Sequence, residues 1–155
     1  MSAPKDLYAG LVTEQTVNPA TLTGNGDYTE GSVVDGLNAA AVLHALLVGE
    51  SGDTWSGALK TDMILQHGDE SDGSDMAAVT DAADYIGTME TEASGIVKAL
   101  DAEADDNARY EIVYCGSKRY SRLYLDRTGN HSSGTPMAAL AIKAPRLTGD
   151  IAPVA

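Results

Sequence analysis

Residues 66–75, QHGDESDGSD, crowd His67 and four carboxylates, Asp69, Glu70, Asp72 and Asp75, into ten positions. Several carboxylates on one flexible loop supply the oxygen ligands that a hard cation such as Ca²⁺ takes. The spacing is not that of an EF-hand, because the closing glutamate is missing, so the segment reads as a solvated loop before it reads as a cation site. A metal-assisted hydrolase built on His67 and Asp69 is a weaker alternative. The other histidines, His44 and His131, stand far from His67 in sequence, and none has the paired spacing that holds zinc on a helix. His44 lies inside an apolar run, where a hydrogen-bonded core residue is the simpler expectation.

Nucleophilic chemistry finds no better footing. Ser132, Ser133 and Gly134 follow His131 directly, but adjacency in sequence does not build a nucleophile elbow with its base and oxyanion hole. Cys115, the only cysteine, has no neighbouring histidine or second thiol and is expected to be a buried, inert side chain. Gly24-Asn25-Gly26 lacks the further glycine of a dinucleotide-binding turn, and no phosphate-cradling loop is present. These readings predict no catalytic residue, no metal site, no cofactor and no small-molecule substrate. The chain is expected not to be an enzyme.

Lys118, Arg119, Tyr120 and Arg122 form the remaining unusual group. Arginine and tyrosine anchor protein interfaces through bidentate pairing and large contact area at low entropic cost. The plain alternative is that these bases neutralise the chain's own acids.

The elements that must carry these residues read as mainly β, within an α+β class: a compact antiparallel sandwich or barrel with one short helix and an extended N-terminal arm. The sequence divides into an arm over 1–36, a β-rich body over 37–148 and a tail over 149–155. The arm is rich in glycine, threonine, asparagine and acids, so regular structure is not expected there. Its apolar residues, among them Leu7, Tyr8, Leu11 and Val12, suggest docking on the body or on a neighbour. Strands are expected over 37–48, 59–67, 95–100, 109–115, 118–125 and 137–143, a helix over 76–86 behind Asp75, and a loop over 129–136. Gly116-Ser117 between two alternating runs predicts a two-residue hairpin. Its register would pair Glu111 with Arg122 and put Tyr110, Ile112, Tyr114, Leu123 and Leu125 on the core side.

The 155 residues fit one core, and a hydrophobic share of 43% is enough to fold it. With no Phe and one Trp, packing must rest on aliphatic side chains. A net charge of −13 disfavours nucleic acid as a partner. Residues 1–108 carry 20 acids and 3 bases, a net −17, whereas 109–155 carry 3 acids and 7 bases, a net +4. Such polarity can steer an oriented encounter. The absence of an apolar leader or a long apolar stretch predicts synthesis in a cytoplasm and no membrane partner.

Short motifs resemble a family of small proteins from the head gene clusters of tailed bacteriophages, several of which are capsid decoration or cement proteins. They are Leu65-Gln66-His67 before the acidic loop, Tyr114, Gly116, Lys118-Arg119-Tyr120 with Arg122 and Leu123, and Gly129-Asn130-His131 leading to Gly134-Thr135-Pro136 and Ala138-Ala139. The likeness covers roughly residues 38–144, and Ser121 stands where the pattern carries an aliphatic residue. It implies a non-enzymatic virion protein, made in the host cytoplasm, that stabilises the capsid exterior. Its partners would be the major capsid protein and further copies of itself in a small homo-oligomer, with a trimer favoured. The expected contact residues are Leu7, Tyr8, Leu11, Val12, Lys118, Arg119, Tyr120 and Arg122. A connector-ring component and a calcium-dependent binding module are the alternatives.

Overall fold

The computed structural model describes residues 11–145. Eleven strands follow in chain order: β1 (Val12–Asn25), β2 (Tyr28–Glu30), β3 (Val34–Asp35), β4 (Ala39–Val48), β5 (Lys60–Gly68), β6 (Ala77–Ala78), β7 (Tyr85–Ile86), β8 (Ile96–Leu100), β9 (Arg109–Tyr114), β10 (Tyr120–Thr128) and β11 (Asn130–Pro145). Every pairing is antiparallel. One sheet, here sheet A, has the order β1-β11-β4-β9-β7; the other, sheet B, runs β2-β10-β5-β6, with β3 added to β10 and β8 to β5. The two pack as a sandwich and not as a closed barrel.

Alternation decides which side chains meet between the sheets. On β4, Val42, His44, Leu46 and Val48 point inward, and Ile112 and Tyr114 of β9 join them. From sheet B come Met63 and Leu65 of β5, each directly opposite Leu125 and Leu123 of β10. Leu46, Val48, Ile112, Tyr114, Met63, Leu65, Leu123 and Leu125 form one continuous cluster with Trp55, Met89, Val97, Leu100 and Met137, while Val42 packs with Val34 and Ala141 in a second, smaller one. Burying a Leu, Met or Val completely contributes about 1.5–3 kcal/mol, so this aliphatic core stands in for the missing Phe.

Four expectations need correction. The hairpin does not form: β9 pairs with β4 and β7 in sheet A, whereas β10 pairs with β5, β2 and β3 in sheet B. Residues 115–119 are an arch between sheets, so Glu111 and Arg122 are not partners. The core face assigned to Tyr110, Ile112, Tyr114, Leu123 and Leu125 is right, because the two runs meet across the core instead of side by side. A Cβ at Gly116 would sit 2.7 Å from the Tyr114 hydroxyl and from the Asp84 carboxyl carbon, which explains a glycine at the tightest point of the arch.

The helix over 76–86 is reduced to a 3₁₀ turn, Ala82–Asp84, whose first turn is capped by Asp81 instead of Asp75. Residues 77–78 pair with β5 in sheet B and residues 85–86 with β9 in sheet A, so the segment bridges the sheets and cannot stay in one helix. The expected loop over 129–136 belongs mostly to β11, which forms a bulged ribbon with β1.

Of the two docking alternatives for the arm, residues 12–35 take the chain's own body. β1 lies along β11, and β2 and β3 lie along β10. Regular structure forms there after all, since β1 is an edge strand and Asn18-Pro19 falls within its register shift between Val17 and Ala20, where the missing N–H of Pro19 is tolerated.

Candidate protein-binding surfaces

The basic group sits where β10 begins, and most of its charge is already used. Lys118 pairs with Asp69, and Arg119 holds Asp35 through two hydrogen bonds of 3.0 and 2.8 Å. That guanidinium keeps the Asp35 carboxyl down at about 2. Tyr120 is buried, with the Arg119 guanidinium 5.1 Å from its ring centre. Arg122, only 7% exposed, donates to Gln66 at 2.8 Å and to Glu30 at 3.1 Å. These C-terminal bases therefore neutralise acids from earlier in the chain, which is the plain alternative raised by the sequence.

What remains open beside them is aromatic. Tyr28 of β2 stacks on Tyr124 of β10 with ring centres 5.3 Å apart and planes 18° from parallel, and Arg122 lies 5.9 Å from the Tyr124 ring. Tyr28 is 54% exposed, so one ring face is free. The loop 69–76 closes one side: Gly73 packs near Val33 and Arg122. Gln66 and Glu30 fix the guanidinium, and the stacked rings lose little freedom on contact, which lowers the entropic cost of binding. Sequence reasoning found Arg122 and missed Tyr28, because nothing local tells that residue 28 lies beside residue 124.

A second surface covers the outer face of sheet A. Directly paired residues share a face, so Thr13, Ile142, Leu43, Val113 and Ile86 make one row across all five strands. Gln15, Leu140, Ala45 and Glu111 make the next, and Ala138, Leu47 and Arg109 a third. Thr13, Gln15, Leu47, Ile86, Arg109 and Glu111 are exposed, Leu43, Val113, Ala138, Leu140 and Ile142 are half-buried, and Ala45 is buried among them. The signal for this face was in β4, whose run AAAVLHALLV is apolar at outward as well as inward positions. An antiparallel sheet with one solvated face would alternate.

The other expected contact residues divide. Leu11 and Val12 are exposed at the start of β1, 40% and 49% respectively, while Leu7 and Tyr8 lie outside the described residues. The candidate chemistry does not assemble. Asp75 accepts from the backbone N–H groups of Asp69 and Glu70 and closes the acidic loop on itself. Among the described residues no group of three or more His, Cys, Asp or Glu side chains could hold a metal ion. The Ser132 hydroxyl donates to Asp53 and not to His131, whose Nε2 faces the carbonyls of Lys60 and Thr128. His44 is wholly buried with Nε2 2.8 Å from the Ser121 hydroxyl, and burial pushes its pKa down to about 4. The Cys115 thiol is half-buried, 3.6 Å from the Ala83 carbonyl. Among the described residues no helix is long and apolar enough to cross a membrane. Compared with models of known protein families and with curated proteins, the chain matches none.

Proposed function

We propose that the chain is a non-enzymatic capsid decoration protein: it binds the outer surface of an icosahedral phage head and stabilises it in the assembled virion. The observation that carries a binding role is the stacked Tyr28–Tyr124 pair braced by Arg122 on the outer face of sheet B. These are the residue types that dominate interface energetics, held in place before any partner arrives. The resemblance of the segment around Lys118–Leu123 to phage head-cluster proteins supplies the partner, the major capsid protein. A ligand that binds only the assembled lattice stabilises it by mass action, which is the physical meaning of cementing. Self-association into a small homo-oligomer belongs to the same reading.

The test is the copy number of the chain in purified particles, measured by quantitative mass spectrometry against the most abundant coat protein. A ratio between about one-third and one is expected, since only a repeated surface lattice binds so many copies. A ratio near about one-fiftieth indicates a connector ring, and absence from particles ends the capsid reading.

A further inference from the structure

We infer that the outer face of sheet A is an interface between two copies of this chain, related by a two-fold axis. This adds a surface and a symmetry to the proposed self-association, and its test needs only the free chain, so a capsid that bound nothing would leave it standing.

The first argument is charge. The chain carries −13, yet the three rows of this face hold only Arg109 and Glu111, 3.5 Å apart and cancelling each other. Two acidic molecules repel over most of their surfaces and meet at least cost where each is neutral.

The second is area. The twelve residues of the three rows, at about 4.8 Å between strands and about 6.8 Å between rows, present about 400 Å² per copy, as large as the largest apolar patch of a typical monomer. Two copies would bury about 800 Å² together, the scale of a weak, reversible association and not of an obligate dimer.

The third is shape. Leu47, 44% exposed, is one wall of a hollow that Glu14, Gln15, Pro19, Ala138 and Leu140 also line. A two-fold axis brings the Leu47 wall of each copy to the other copy's hollow, so one patch is complementary to itself. A three-fold ring would instead need two different patches, and this face supplies one.

The experiment is sedimentation velocity on the full chain at concentrations from about 1 to 200 µM, bracketing a micromolar dissociation constant. The wild-type protein is expected to move from 16.1 kDa toward twice that mass. Raising salt from about 0.15 to 0.5 M should strengthen the dimer, because screening weakens repulsion and leaves apolar contact intact. Leu47→Lys should weaken it at least about tenfold by burying a charge directly opposite Arg109, a partner of like sign. Ile86→Lys, at an edge position 63% exposed, is a second variant that leaves the core untouched. Circular dichroism and melting of both variants must match the wild type for either to count. A wild-type monomer throughout, a trimer, or a dimer that both folded variants leave unchanged overturns the proposal.

Discussion

His44 is the side chain whose chemistry the fold alters most. It sits 0% exposed between the sheets, directly opposite Ala141 of β11, and is held by the Ser121 hydroxyl on the opposite sheet. Its lone hydrogen-bond partner cannot offset the cost of burying an imidazolium, so its pKa falls from 6.5 to about 4. The sign of the pH effect follows. Above 6.5 the residue is neutral in both folded and unfolded chains and contributes no pH dependence; as pH falls from 6.5 toward 4 only the unfolded chain takes up the proton, and stability falls. Two units of that window correspond to about 3 kcal/mol. Urea unfolding at pH 7.5 and 4.5 should show a loss of that order, and His44→Gln should flatten it. The carboxylate Asp35, held at about 2 by Arg119, loses its contribution only at lower pH, as pH drops below its ordinary 3.8, so the two effects separate.

At the scale of elements, alternation made most of the strands readable and left their partners hidden. Period-2 patterns over 109–114 and 120–125 told which side chains are buried, because that depends on each strand alone. Which strand lies beside which depends on the five residues between them. In those residues the Lys118 N–H donates to the Tyr114 hydroxyl at 3.0 Å, and the same oxygen lies 3.1 Å from His67 Nδ1. A two-residue hairpin would have satisfied that N–H from Cys115 instead. Tyr114→Phe should therefore cost about 1–3 kcal/mol, the price of an orphaned donor at a tight crossing. A shift of the urea midpoint with unchanged slope would bear this out, and a variant as stable as the wild type would mean the arch is held by packing alone. The same limit hid the aromatic platform: Tyr28 reads as a turn residue until β2 is placed beside β10. Sheet A's outer face was written more openly, in the uninterrupted apolar run of β4, but such a run reads equally as a strand buried on both sides.

For the whole molecule, folding sets bases from late in the sequence against acids from earlier in it. Lys118, Arg119, Arg122, Arg127 and Lys143 lie within ion-pair distance of Asp69, Asp35, Glu30, Asp27 and Glu14, so among the described residues five of the six late bases are held against earlier acids. These late bases are thus held against the chain's own acids, and the molecule as a whole keeps its acidic excess. Two effects then compete when salt is added. Screening weakens exposed ion pairs, which contribute little to begin with, and it also relieves the mutual repulsion of a net −13. The second should win, because the repulsion sums over many acids within a Debye length that shrinks from about 30 Å at 0.01 M to about 8 Å at 0.15 M. The melting temperature should rise by roughly 4 °C across that range, the size of shift that a modest gain in stability produces in a chain of this length. Scanning calorimetry at a concentration low enough to keep the chain monomeric measures it. A melting temperature that falls with salt would mean that the cross-strand pairs between the first and last thirds hold the fold together more strongly than the excess acids push it apart.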